Sequence, residues 1–223
     1  MGRILFGLIL FVLIVGAGVI WTVRPGTDVA YEAAKARILA AIEEDRRILR
    51  LDDLNALGRL PPELGEVTGL IQLDLSDTVI SDISVLAELG GLRILNLRGT
   101  LVEDLTPLEG LAQLDTLDIG QTWVRDFSPL VAPPNLRRLD VGDTWSASLE
   151  PIARMPALDW INLHGAYATD GSEGYLRALE SRNVTVNNAR AFQANYAPGF
   201  LYQQKTRLKR LIRRVQLGLG ALE

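Results

Sequence analysis

The sequence predicts an α/β solenoid in which a ladder of short parallel strands alternates with short helices on the return. Three observations predict it. Leu70, Leu92, Leu114, Leu136 and Leu158 open successive copies of a 22-residue unit, with no insertion or deletion as far as Leu163. Inside each copy apolar residues alternate with polar ones, first in Leu73-Asp74-Leu75 and then at Leu95 and Leu97, Leu117 and Ile119, Leu139 and Val141, Ile161 and Leu163. Strict alternation is the mark of a strand with one buried face. The second half of each copy carries Ser or Thr ahead of a helical stretch, as in Asp104-Leu105-Thr106-Pro107-Leu108 and Asp126-Phe127-Ser128-Pro129-Leu130. Ser or Thr followed by Pro reads as an N-cap with proline at the first helical position. A unit this short cannot bury its apolar face alone, so the copies must stack.

The chain before the repeats divides in two. Residues 1–22 are a transmembrane signal anchor, because Ile4 to Trp21 is apolar apart from glycines and about the length that spans a hydrocarbon core of roughly 30 Å. The competing reading is a cleaved signal peptide, with Val15-Gly16-Ala17 as its small-residue site. The apolar run continues past that site and ends on an aromatic, which favours the anchor. So short a leading segment places the N-terminus in the cytoplasm and the repeats on the non-cytoplasmic side, periplasmic or extracellular. Residues 23–47 are a linker and N-terminal cap helix. Arg24-Pro25-Gly26 breaks the preceding helix, Thr27 or Asp28 caps the next, and Tyr31, Ala34, Ile38, Ala41 and Ile42 recur at helical spacing. This helix covers the open first edge of the solenoid.

Residues 48–186 form the solenoid. Leu51, Leu60, Pro61, Leu64 and Val67 make an irregular first coil, about one residue out of the 22-residue frame. In the regular coils Thr78, Thr100, Thr122 and Thr144 occupy the turn, where a hydroxyl can satisfy backbone groups of the neighbouring coil. Ile80, Val102 and Val124 then return to the core. Leu86 with Leu89, and Leu108 with Leu111, anchor the return helices at one-turn separation. At the far end Tyr175, Leu176 and Leu179 share a face of a helix begun near Ser172, and Val184-Thr185-Val186 supplies a closing strand.

The run Leu-Asn-Leu-Arg-Gly-Thr-Leu-Val-Glu-Asp-Leu-Thr-Pro-Leu-Glu-Gly-Leu, ending at Leu111, resembles the 22-residue class of leucine-rich repeats found in bacterial internalins and in a regulatory subunit of eukaryotic protein phosphatase 1. The resemblance extends over about two thirds of the chain. It departs from the internalin pattern in using Thr where that family mostly has Asn. The last copies also erode, with Ser146 for the buried aliphatic and Ala166 for the Thr. The resemblance implies a right-handed solenoid that binds other proteins, without naming one.

Residues 187–223 are a basic tail. Lys205, Arg207, Lys209, Arg210, Arg213 and Arg214 are six of the chain's 23 Lys and Arg, against Glu223 alone of its 27 acids. Leu201, Leu208, Leu211, Ile212 and Val215 fall on one helical face. Such an amphipathic helix lies on an anionic lipid surface, docks on an acidic partner, or packs back on the solenoid. Without interleaved aromatics among the six charges it makes a poor nucleic-acid footprint, and no nucleic-acid partner is expected.

The chemistry-bearing residues are sparse. The chain has no cysteine and one histidine, His164, which follows the last repeat strand and reads as a surface residue. No phosphate-binding loop or serine elbow is present, so neither a cofactor nor an enzymatic activity is expected. Asp74, Asp118 and Asp140 align on the outward face of the strands with Asn96 and Asn162. One carboxylate per coil is thin supply for calcium, which takes six to eight oxygens, and the row reads as a polar strip, not a metal site. One residue after the Thr column the copies read Val79, Leu101, Trp123, Trp145 and Tyr167. The pattern places this column outward at the rim of the concave sheet, where successive rings about 4.8 Å apart can stack. They either stack only on one another or present a contiguous aromatic patch, which marks an interaction site. Trp160 would extend that patch inward, with Asp118, Asp140 and Asn162 as its polar rim. The candidate function is a membrane-tethered protein-binding scaffold. The alternative is a spacer held at the membrane by anchor and tail, with no released ligand.

Overall fold

The computed structural model describes residues 25–168 and 173–187. Helix α1 (Pro25–Glu43) precedes a parallel sheet of seven short strands: β1 (Ile48–Arg50), β2 (Gln72–Asp74), β3 (Ile94–Asn96), β4 (Thr116–Asp118), β5 (Arg138–Asp140), β7 (Trp160–Asn162) and β9 (Thr185–Asn187). A second ladder pairs β6 (Trp145–Ser146) with β8 (Tyr167–Ala168). The register is the one the repeat dictates: Leu73 lies opposite Leu95, then Leu117, Leu139 and Ile161. All five are buried, because the middle residue of a three-residue strand points to one face and its two neighbours to the other. The chain returns through 3₁₀ turns at Pro62–Glu66, Ser84–Glu88, Thr106–Leu108 and Ser128–Val131, then through helices α2 (Glu150–Arg154) and α3 (Glu173–Ser181). A 3₁₀ turn rises about 2.0 Å per residue against about 1.5 Å for an α-helix, so it crosses the back of a short coil in fewer residues. Leu86, Leu89, Leu108 and Leu111 are buried beneath these turns, as their spacing requires.

Two local expectations need correction. The Ser and Thr ahead of the return turns are not their caps. Asp82, Asp104 and Asp126 accept the N–H of Ser84, Thr106 and Ser128 at 2.8 Å each, so the acid two residues upstream starts the turn and the hydroxyl residue is already inside it. In the next copy the Ser148 hydroxyl serves the Glu150 N–H at 2.9 Å. The Thr column does not bridge coils either. Each hydroxyl donates to the carbonyl three residues back in its own coil: Thr78 to Leu75, Thr100 to Leu97, Thr122 to Ile119 and Thr144 to Val141, all at 2.6–2.7 Å. The bond closes a turn whose preceding residue, Asp77, Gly99, Gln121 or Asp143, has a positive φ. Neighbouring coils are joined instead by main-chain bonds such as Leu101 N–H to Ile80 O at 2.9 Å and Trp123 N–H to Val102 O at 3.0 Å.

At the first end α1 buries Ala30, Ala34, Ile38 and Ala41 against the first coil. The helix begins at Pro25, ahead of Thr27 and Asp28. Salt bridges from Lys35 to Glu63 and Arg37 to Asp53 fix it in place. The first coil opens at Ile48, which pairs with Gln72 24 positions on, whereas Gln72 pairs with Ile94 22 on. Its irregularity is therefore two residues, inserted between Leu51 and Leu64. At the other end Leu179 is buried with Tyr175 and Leu176 packed beside it, and the closing strand sits one residue later than expected. Ser146 is not a loss of core. Its buried hydroxyl lies 2.8 Å from Arg125 O and 2.9 Å from Ser148 O, and Ala168 beside it is fully buried. The apolar segment 4–21 and the basic residues 205–214 lie outside the described residues. Among the described residues no helix is long and apolar enough to cross a membrane.

Candidate functional site

Each strand offers two outward residues, and stacking turns them into two columns on the concave face. The trailing column is Arg50, Asp74, Asn96, Asp118, Asp140, Asn162 and Asn187. Five of these hold their own turn. The Oδ1 of Asp74, Asn96, Asp118, Asp140 and Asn162 accepts the N–H two residues on, from Ser76, Arg98, Gly120, Gly142 and His164, at 2.8–3.2 Å. Asp140 Oδ2 also accepts from Asn162 Nδ2 at 2.9 Å. The expected free polar rim at Asp118, Asp140 and Asn162 is thus first a structural device. At two of these positions the space is also tight: a Cβ at Gly120 would lie 2.5 Å from Arg98 Nη1 and 3.0 Å from Asp118 Oδ1, and one at Gly142 3.0 Å from Asp140 Oδ1, whereas Ser76, Arg98 and His164 carry side chains under the same cap. Burial pushes the Asp118 carboxyl above the ordinary carboxylate range. The Gly120 N–H pulls the other way, the Asp140 carboxylate adds to the rise, and Arg98 opposes it. Among the described residues no three acids or histidines, these included, come together in a group that could hold a metal ion.

The leading column is Ile48, Gln72, Ile94, Thr116, Arg138, Trp160 and Thr185. It has no comparable duty. Ile48 is 56% exposed and Ile94 37%, two of the few large apolar side chains so placed among the described residues. The Arg138 guanidinium sits 5.0 Å over the Trp160 ring, holding both side chains across the face. Sequence reasoning found Trp160 here and missed Ile48, Ile94 and Arg138. The available signal was positional: the residue before each buried mid-strand leucine changes type from copy to copy while the residues around it keep theirs.

Trp123, Trp145 and Tyr167 do not stand on this face. They lie past the positive-φ turn, where Trp123 N–H bonds Val102 O at 3.0 Å, Tyr167 N–H bonds Thr144 O at 3.1 Å and Trp145 pairs with Tyr167 across β6 and β8. This ladder stacks the column coil on coil beside the turn. Val79 and Leu101 are accordingly 5% and 7% exposed, and the three aromatics are half-buried instead of outward. Arg125 covers Trp145 at 4.9 Å from the ring centroid, and the Trp145 Nε1 is buried without a hydrogen-bond partner. The structure therefore divides the seven candidates: Trp160, Asp118, Asp140 and Asn162 come together on the sheet, while Trp123, Trp145 and Tyr167 form a separate strip around the turn. His164 is exposed, as its position after the strand implies.

Neither a protein-family model nor a curated protein matches the chain. Its likeness is to solved structures. An internalin (inlF) from Listeria monocytogenes superposes with a TM-score of 0.56 and 24% identity, over 76% of this chain and 57% of that one. Internalin C2 (inlC2) from the same species gives 0.51 and 21%, over 72% and 85%, and the leucine-rich repeat domain of APL1B gives 0.51 and 14%, over 60% and 42%. The chain thus spans little more than half the length of the inlF internalin. At these identities the likeness establishes the leucine-rich repeat fold.

Proposed function

We propose that this leucine-rich repeat chain is a binding scaffold that receives another protein on the concave face of its sheet. The observation that carries the reading is the leading column. That column neither fills the core nor caps a turn, and in it Ile48, Ile94, Arg138 and Trp160 bring apolar, cationic and aromatic side chains to one face. Exposed Ile and Arg side chains around a half-buried Trp, beside a polar row, are the composition of an interface core with its rim. Asp118, Asp140 and Asn162 form that rim, each already oriented by its cap. Trp123, Trp145 and Tyr167 extend the contact only along the turn.

In this reading residues 4–21 hold the scaffold at a membrane with the repeats on the non-cytoplasmic side, and Lys205 to Arg214 add contact with anionic lipid or an acidic surface. What supports the tether is the length and apolarity of the segment. A reporter active only outside the cytoplasm, fused after Glu223, is expected to be active, and an inactive one reverses the orientation. Binding is tested with residues 25–223 as bait. Ile48→Asp with Ile94→Asp, both at exposed positions, is expected to leave the melting curve nearly in place and abolish retention of whatever the unchanged bait captures. Unchanged retention would move the interface off the sheet, and a bait that captures nothing specific would favour a spacer.

A further inference from the structure

The two ends of the solenoid are finished differently. At the first end α1 packs on β1 and on the first return turn, and Leu49, the core residue of β1, is 3% exposed. At the last end Val186 stands in register with Ile161, which is fully buried, yet Val186 is only half-buried. Tyr175 and Leu176 of α3 are half-buried beside it on the rim of the same core. The main chain is open there too. Thr185 N–H bonds Asp159 O at 2.8 Å and Asn187 O accepts from Leu163 N–H at 3.1 Å, both toward the preceding coil. Alternation along a parallel strand turns the Val186 N–H and C=O to the other side, and among the described residues β9 is the last strand of the sheet. An apolar core edge with an open strand is a surface that repeat proteins must cover.

The sequence that leaves this edge has the composition to cover it. Phe192, Tyr196, Phe200 and Tyr202 are four of the chain's ten Phe and Tyr, gathered in eleven residues, and the first three recur at every fourth position. Between Asn188 and Tyr202 the only charged residue is Arg190, and the basic run starts later, at Lys205. Phe192 follows Asn187 by five residues, so its effective concentration at the edge is in the millimolar range, well above that of a separate chain. We propose that the chain's own segment 189–202 is the C-terminal cap of the solenoid, laying Phe192 and Tyr196 over Val186, Tyr175 and Leu176. The cap removes this end from the surfaces open to partners and delivers the six cations of 205–214 to the last coil. It stands independently of the binding reading, since it concerns the end of the sheet and not its face.

The chain has no cysteine, so a pair introduced into the full-length protein reports cleanly. With Tyr175→Cys and Asn195→Cys, a short bis-maleimide is expected to link the two positions within one chain, and adding Phe192→Ser with Tyr196→Ser is expected to abolish that link. A link between two chains would overturn the proposal in favour of a second copy at this end. No link, or a link indifferent to the serine changes, would also overturn it. Amide exchange guards against a cysteine variant that misfolds. In the full chain without cysteines the Val186 N–H is expected to be protected, and Phe192→Ser with Tyr196→Ser should speed its exchange by at least about tenfold. Equal, rapid exchange in both proteins contradicts the cap.

Discussion

Asp118 separates a structural carboxylate from a ligand-binding one. Its Oδ1 accepts the Gly120 N–H at 2.8 Å, and Gly120 is buried. Asp118→Ala leaves that donor without its acceptor, which costs about 1–3 kcal/mol. In a protein of this size each kcal/mol lowers Tm by roughly 2–4 °C. Asp118→Asn keeps an oxygen in place, as Asn96 and Asn162 already do for Arg98 and His164 in the same column, and it removes a charge that burial disfavours. It is expected to lie within about 0.5 kcal/mol of the parent at neutral pH, or above it. The pH dependence follows from the direction of the shift. A carboxyl whose folded pKa is raised binds more protons in the folded state than in the unfolded one, between the ordinary carboxylate value and the raised one. Stability therefore falls as pH rises through that window, and the cost is fully present above it. Urea denaturation of residues 25–223, followed by circular dichroism, should accordingly show any advantage of Asp118→Asn at neutral pH shrink as the solution is acidified through the window. An Asn variant as unstable as the Ala variant would refute the reasoning, because the charge itself would then be required.

The remaining expectations concern the core, the Thr column and the aromatic strip. Leu117 is 1% exposed between Leu95 and Leu139, so Leu117→Ala should cost about 2–5 kcal/mol in urea denaturation; an unchanged midpoint would mean the register is wrong. Thr122→Val keeps the shape but takes the 2.6 Å hydroxyl donor from the Ile119 carbonyl, which keeps the Thr122 N–H at 3.3 Å, for a loss of about 0.5–1.5 kcal/mol, and a neutral result would mean that the main-chain bond alone satisfies the carbonyl. Trp123→Ser with Trp145→Ser removes two half-buried rings beside the second ladder. Thermal melting should reveal a loss of at least about 2 kcal/mol, and an intact melt would return these residues to the free surface.

The repeat made the sheet legible because every core position recurs at a fixed spacing, and a parallel register follows once the copies are stacked. Side-chain bonding at the turns was harder to read. Asp82, Asp104 and Asp126 precede Ser84, Thr106 and Ser128 in every regular copy, so the sequence alone is compatible with either residue as the cap, and only the 2.8 Å bonds decide. The aromatic column was misplaced for a related reason. Alternation predicts the face of a residue within a strand, but Trp123 and Trp145 come after a positive-φ turn that resets the direction of the chain. The residues of the leading concave column were passed over because they do not repeat. Ile94 and Arg138 have no partner in the pattern to draw attention to them, although a position freed from the repeat is where a binding surface can vary.

Residue-level footprinting of the complex tests most directly whether a partner protein lies on the concave sheet face. Hydroxyl-radical labelling of the captured complex against the free protein should protect Ile94 and Trp160 together, with the return turns at Val85 and Pro107 unchanged. Protection of the return turns, with Ile94 and Trp160 labelled as in the free protein, would contradict the account.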